Sequence, residues 1–271
     1  MRILFLGDVV GRTGRDAVVA ALPELRARLR AELVVVNGEN ASHGFGISPE
    51  MATAILRAGA DVITLGNHAW DRKELAPFIG GEPRIVRPLN YPPGTPGAGS
   101  FEVVLADGRR ALVANIMGRL FMEALDDPFR GAAELLTRYK LGADVAAIVI
   151  DLHAEATSEK YAFAHSFDGA VSLIVGTHTH VPTADHTILP GGTAYQSDVG
   201  MCGDYDSVIG MAKQGSSSRF WTKMPGERLQ PAEGETTICG LFVTTDDRTG
   251  LALSVEPLRQ GGRLSQATPA P

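Results

Sequence analysis

Short apolar runs recur along this chain, and almost every one stops at a glycine or a cluster of polar residues. Ile3 to Leu6 ends at Gly7-Asp8, Leu33 to Val36 at Asn37-Gly38-Glu39-Asn40, and Val62 to Leu65 at Gly66-Asn67-His68. Val145 to Ile150 ends at Asp151-Leu152-His153-Ala154-Glu155, and Val171 to Val175 at Gly176-Thr177-His178-Thr179-His180. Runs of this length, rich in β-branched residues, predict buried strands. Between them, Arg15 to Arg30 carries apolar residues at helical spacing (Val18, Val19, Leu22, Leu25, Leu29), with Pro23 predicting two short helices or a kink. Ser48-Pro49-Glu50 is an N-cap with proline at the first helical position, predicting a helix to about Ala58. Asp127-Pro128 starts another to about Tyr139, and Ser158 to His165 a further one. Strands alternating with helices predict an α/β fold of parallel strands joined by right-handed crossovers. The carboxyl ends of such strands gather at one edge, which is where open α/β sheets place their ligands.

The rest of the chain is less periodic. Gly11 to Gly14 reads as a turn, and Arg87 to Ser100, rich in Pro and Gly, as irregular. Phe101 to Leu105 and Ala111 to Ala114 form a hairpin about Asp107-Gly108. Thr187 to Leu189, Thr193 to Gln196 and the turn-rich Ser197 to Met201 precede a long polar stretch, Gln214 to Glu235. A last hairpin pairs Thr236 to Thr245 with Leu251 to Val255, and Gly261 onward reads as a frayed tail. One domain over 1–260 with a tail over 261–271 is the expected organisation.

Composition narrows the function. With 44% hydrophobic and 21% charged residues among 271, the chain is an ordinary globule able to bury a large core. Its formal net charge of −6 argues against a broad nucleic-acid or anionic-membrane surface. A small anionic substrate stays open, because a bound metal can outweigh the global sign. Cys202 and Cys239 have no metal-like spacing, and free thiols in a reducing cytoplasm are the expectation. No secretory leader or membrane span is legible, so the Asn40-Ala41-Ser42 glycosylation triplet is read as chance.

The chemistry lies in what the strand ends present. His178 and His180 stand at i and i+2, which in extended backbone places both rings on one side, about 7 Å apart, each able to serve one metal of a pair. Asp8, Glu39, Asn40, Asn67 and His153 join them at the same edge. Carboxylate, amide oxygen and imidazole together suit iron, manganese or zinc rather than a thiolate metal. The central Glu39 is the expected bridge, with Asp8, Asn40 and His180 completing one metal site and Asn67, His153 and His178 the other. Two metals about 3.5–4 Å apart can hold a bridging hydroxide and clamp the attacking and leaving oxygens of an in-line displacement at phosphorus. Each piece has a plainer reading alone: Asp8 as a cap, Glu39-Asn40 and Asn67-His68 as turns, His153 as a structural histidine. Their common place at strand ends favours the shared site.

These blocks resemble the ordered motifs of calcineurin-like metallophosphoesterases. That superfamily carries Asp-x-His, Gly-Asp-x-x-Asp, Gly-Asn-His-Asp/Glu, His and Gly-His-x-His. Here Val10 stands where the first histidine belongs, Glu39 replaces the bridging aspartate, and Asn40 resembles a substitute ligand. With Gly-Asp-Val-Val-Gly-Arg at Gly7 to Arg12, Gly-Asn-His-Ala-Trp-Asp at Gly66 to Asp71 and Ser-Asp-Val-Gly-Met at Ser197 to Met201, the chain resembles the YmdB-type bacterial branch from Met1 to about Leu258. The resemblance implies a four-layer α/β sandwich of two mixed sheets flanked by helices. It also implies a di-iron or manganese centre and hydrolysis of phosphodiesters, 2′,3′-cyclic nucleotides in particular. By the same resemblance His68 is the catalytic acid rather than a ligand, and an imidazole near two cations suits protonation of a leaving alkoxide. Asp71, three residues on, is a candidate to orient it.

Several residues stay open between two readings. Arg12 either reaches a substrate phosphate or is solvated, and Gly7-x-x-x-Gly11-x-x-Gly14 lacks the lysine of a phosphate loop. His43 sits in a glycine-flanked loop that either contacts substrate or does not. Asp198 either supports a ligand histidine or forms a turn. The stretch with Arg219, Phe220, Trp221 and Lys223 reads as a lid, a homo-oligomer contact or a surface loop. His165 and His186 read as structural. The rivals to a diesterase are a phosphomonoesterase with the same machinery and a metal-binding regulatory scaffold.

Overall fold

The computed structural model describes residues 1–224 and 228–270. The chain opens with β1 (Arg2–Leu6), β2 (Asp8–Val9), α1 (Gly11–Arg28), β3 (Leu33–Asn37), α2 (Pro49–Ala58), β4 (Val62–Thr64), α3 (Leu75–Ile79) and β5 (Ile85–Val86). It continues through β6 (Ser100–Val104), β7 (Arg110–Met117), α4 (Pro128–Arg138), β8 (Ala147–His153), α5 (Thr157–Ser166) and β9 (Leu173–Thr177). The last elements are β10 (Thr187–Ile188), β11 (Ala194–Gln196), β12 (Met201–Asp204), α6 (Lys213–Thr222), β13 (Thr236–Thr245) and β14 (Ala252–Gln260).

Two mixed sheets result. One runs β2-β12-β13-β1-β3-β4-β5 with β14 on β13, the other β10-β11-β9-β8-β7-β6. Side-chain alternation along β1 and β3 explains the layering. Ile3, Phe5, Leu33 and Val35 face inward with Val113, Val149 and Val175 to form the core between the sheets. Leu4, Leu6, Val34 and Val36 face outward onto α1 and α2, beside Leu22, Leu25, Ala52 and Ile55. The outer face of the second sheet buries Leu112, Ile148 and Ile150 beneath Leu135 of α4 and Phe163 of α5. The molecule is thus the helix–sheet–sheet–helix sandwich expected.

β1, β3 and β4 are parallel neighbours, as are β7, β8 and β9. Both sheets therefore deliver their carboxyl ends to one face. The caps act as read: Ser48 Oγ accepts from Met51 N–H, and Asp127 Oδ1 from the N–H groups of Phe129 and Arg130.

Five expectations need correction. α1 is unbroken through Pro23 and starts at Gly11, not Arg15. Pro23 lies on the exposed face, where water can satisfy the carbonyl it leaves unpaired, while Leu22 and Leu25 stay buried. Gly14 serves close approach rather than a turn, since a Cβ there would collide with Cys202 O. The polar stretch begins with helix α6, and its residues 225–227 lie outside the described residues. The segment after Gly261 folds back: Arg259 and Ala267 exchange backbone hydrogen bonds of 2.8 and 3.0 Å. Finally, β14 extends five residues beyond Val255, to Gln260. The short β2, β5, β12 and α3 carried too little periodicity to be seen.

Candidate metal centre

The first sheet contributes Asp8 after β1, Glu39 and Asn40 after β3, and Asn67 with His68 after β4. The second contributes His153 at the end of β8 and His178 and His180 after β9. Asp8, Glu39 and His153 are buried, at 0, 1 and 0% exposure. Two groups of potential ligand atoms form, Glu39 with His153 and His178, and Asp8 with Glu39 and His180. Glu39 belongs to both.

Around His153 Nε2 lie Asn67 Oδ1 at 2.8 Å, His178 Nδ1 at 3.1 Å and Glu39 Oε1 at 3.2 Å. His180 Nε2 is 3.9 Å from Asp8 Oδ1. Hydrogen bonds on the far side of each ring fix the tautomers. Thr177 Oγ1 donates to Asp151 Oδ1 (2.7 Å), so it must accept from His153 Nδ1–H (2.9 Å), leaving Nε2 with its lone pair. His180 Nδ1–H donates to Ile209 O at 2.8 Å, again leaving Nε2. His178 Nε2 faces Glu155 Oε2 at 3.1 Å, so this ring turns Nδ1 inward. Such outer partners orient the rings of metal-binding histidines.

Several groups therefore point acceptors at one another. Asp8 Oδ1, Glu39 Oε1 and Asn40 Oδ1 are buried with no hydrogen-bond partner, although such atoms are normally satisfied. Asn40 donates through Nδ2 to Gly44 O (3.0 Å), which turns its oxygen inward. A cation on either side of Glu39 would satisfy all of them, so the residues fit two metal ions. Gly66 makes room: a Cβ there would collide with Glu39 Oε2 and His153 Nε2.

The electrostatics agree. Burial raises the Asp8 carboxyl well above the carboxylate range, against the pull of His180 and His153. Burial also opposes ionisation of Glu39, but the Coulombic pull of His153 and the hydrogen bond from the His68 backbone N–H win and bring it low. Burial penalises the His153 cation, yet Glu39, Asp8 and Asp151 raise its basicity. Burial and the His153 charge push His178 down to about 3, so it stays a neutral donor. The cluster demands positive charge at its centre.

His68 lies beside these groups. Its backbone N–H donates to Glu39 Oε2 (3.1 Å), while its Nδ1 is 2.9 Å from Asp71 Oδ2 and its ring meets Phe45 edge-on at 5.0 Å. The imidazole is thus oriented without touching the other ligand atoms, and its Nε2 is the nitrogen left to present.

The spacing argument for His178 and His180 needs correction. They are not in extended backbone, since β9 ends at Thr177 and both residues have positive φ, 96° and 67°. A left-handed turn, not strand alternation, aims each ring at its own group. Arg12 pairs with Glu233 at 3.1 Å, with both side chains about two-thirds exposed. His43 is exposed, and Arg72 holds its loop by donating to Phe45 O and Ser42 O. Sequence reasoning missed Asp151, Thr177, Glu155 and the Ile209 carbonyl. Asp151 lies inside β8, past Ile150, where the apolar run ends.

Comparison with known proteins decides the family. The model of YmdB-like proteins matches residues 4–258. The chain belongs to the YmdB-like family. It is 48% identical over 256 residues to a Bacillus subtilis (strain 168) protein named 2′,3′-cyclic-nucleotide 2′-phosphodiesterase, covering 94% of this chain and 96% of that one. A Mycoplasma pneumoniae protein named putative phosphatase/phosphodiesterase is 36% identical, covering 96% and 92%. Among solved structures, a hypothetical protein from Thermus thermophilus superposes with a TM-score of 0.90 at 42% identity, covering 97% of this chain and all of that one. A phosphatase structure from Mycoplasma pneumoniae does so at 0.88 and 35%, covering 96% and 93%. Among the described residues no helix is long and apolar enough to cross a membrane.

Proposed function

We propose that this YmdB-like protein is a dinuclear metal-dependent phosphodiesterase acting on small phosphodiesters, 2′,3′-cyclic nucleotides foremost. The observation that carries the proposal is the Glu39 carboxylate, shared between two ligand groups, with its Oε1, Asp8 Oδ1 and the neighbouring Asn40 Oδ1 all buried without a hydrogen-bond partner. The Bacillus relative's name supplies the substrate class. Asp8, Asn40 and His180 would hold one ion, Asn67, His153 and His178 the other, and Glu39 both. Iron or manganese suits this set of harder donors. Two such ions would supply an activated water and neutralise the charge that grows on phosphorus.

The chain's own residues do the rest. Asp151 through Thr177, Ile209 through its carbonyl, and Glu155 hold the three imidazoles in their donor tautomers. His68, steadied by Asp71, presents a proton to the departing ribose oxygen, as a general acid must from within hydrogen-bond reach. Loss of the 2′–phosphorus bond, as the relative's name specifies, would leave a 3′-nucleotide. The buried free thiols Cys202 and Cys239 accord with a cytoplasmic setting.

The test is a substrate comparison on metal-replete protein. Turnover of 2′,3′-cyclic AMP and bis(p-nitrophenyl) phosphate, with 3′-AMP and p-nitrophenyl phosphate left intact, is the expected result. Preferential release of phosphate from the monoesters would make it a phosphomonoesterase, and no turnover at all would favour a scaffold.

A further inference from the structure

Lys160 and Asp198 form an ion pair with both side chains only 1% exposed, directly beneath the turn that carries His178 and His180. Burying two charges is costly unless each is fully hydrogen-bonded. The bonds here converge on that turn. Lys160 Nζ donates to Thr177 O (2.9 Å) and to Asp198 Oδ2 (3.1 Å). Asp198 Oδ2 also accepts from Thr179 N–H (2.9 Å) and Thr179 Oγ1–H (2.8 Å), and Asp198 Oδ1 accepts from Gly200 N–H (2.9 Å). The residues on either side of His178 are therefore tied to one buried pair.

The backbone after Asp198 continues the support. Val199 N–H donates to Gly176 O (3.1 Å) and Met201 N–H to His180 O (3.1 Å). The segment is pressed between two glycines, since a Cβ on Gly176 would collide with Ser197 O and one on Gly7 with Gly200 O. His178 and His180 occupy left-handed backbone, which persists in non-glycine residues only where the surroundings over-determine it.

We propose that Asp198, with Lys160 as its counter-ion, is the positioning residue that holds the His178–His180 turn in ligand geometry before any metal arrives. The inference rests on the metal reading above. It assigns a purpose to a lysine that touches none of the proposed ligand side chains, and it separates Asp198 from an ordinary turn former. Without the pair, Thr179 would swing and the two imidazoles would have to be ordered at each binding event.

Mn²⁺ titration of metal-free protein, followed by electron paramagnetic resonance, tests this. Lys160→Met/Asp198→Leu removes both charges together, so no lone charge is left buried. Its Mn²⁺ affinity should fall about 10–100-fold, the usual cost of losing an outer-shell partner. Lys160→Met/Asp198→Asn keeps an acceptor for Thr179 and should stay near the wild-type value. Hydrogen exchange gives a second readout without metal: the Thr179 amide should be protected in wild type and the Asn variant, and exposed in the Leu variant. A folded Leu variant with wild-type Mn²⁺ affinity and a protected Thr179 amide overturns the inference. Should that variant fail to fold, Thr179→Val deletes one of the donors to Asp198 Oδ2, and unchanged Mn²⁺ affinity there is equally fatal. Wild-type protein that binds no Mn²⁺ would remove the metal reading itself, and this inference with it.

Discussion

Replacement of His68 by alanine separates an acid from a ligand. Its ring is bonded to Asp71 at 2.9 Å and packed edge-on to Phe45, and only its backbone N–H reaches Glu39. His68→Ala keeps that N–H, so Glu39 and both ligand groups retain their geometry. On the proposed reading, what is lost is proton donation to the leaving oxygen, which contributes about 10²–10⁴-fold, or roughly 3–5 kcal/mol of barrier. The loss should depend on the leaving group. A ribose alkoxide needs the proton as it departs, whereas a p-nitrophenolate leaves readily without one. We therefore expect kcat for 2′,3′-cyclic AMP to fall by two to four orders of magnitude and kcat for bis(p-nitrophenyl) phosphate to fall far less. Steady-state kinetics on both substrates, with metal content measured on the same preparation, is the assay. Equal losses on the two substrates would refute the acid assignment, and loss of metal would make His68 a ligand.

Other perturbations probe the surroundings. Asp71→Asn should lower cyclic-nucleotide turnover about tenfold, less than loss of a fully buried orienting aspartate, because Asp71 is 43% exposed and water can partly replace it; an unchanged kcat would leave His68 without an orienting partner. Gly66→Ala drives a methyl into Glu39 and His153, and calorimetric titration should show both metal sites weakened, with about 1–3 kcal/mol lost from folding. Asp127→Ala removes the cap of α4 at a cost of about 1 kcal/mol near neutral pH. Hydrogen bonds from the Arg130 and Phe129 backbone and nearby arginines hold the Asp127 carboxyl below the usual range against a small burial cost, so the capping stability is present above about pH 4 and lost as pH falls through the folded pKa. Urea denaturation of wild type and variant should therefore differ at pH 7, with the difference shrinking as pH falls below about 4, and a constant difference would count against an ionised cap.

Much of this was legible in the chain, for a definite reason. Parallel strands must end at one edge, so Asp8, Glu39, Asn67 and His153 were brought together by topology alone, before any side-chain detail. The structure also sets His178 and His180 in different groups of potential ligand atoms, but not by the alternation expected. Alternation along a strand would separate His178 and His180 by a fixed distance, while the structure uses a left-handed turn braced by residues about 20 positions further on. Such a turn is invisible to periodicity, because its hydrogen bonds run to Asp198 and Lys160 rather than within its own sequence. The unbroken α1 shows the opposite bias: a proline that breaks an isolated helix is tolerated when buried leucines anchor both sides. Contributions made through backbone oxygens, such as that of Ile209, leave no trace in residue type.

The most direct test is elemental analysis of protein purified without chelator, run alongside cyclic-nucleotide turnover on the same sample, for wild type and Glu39→Gln. Glu39 serves both ligand groups, so the account predicts two transition-metal ions per wild-type chain, iron or manganese, and turnover that disappears together with both ions in the variant. Full turnover by metal-free wild-type protein, or two ions retained by Glu39→Gln, would contradict it.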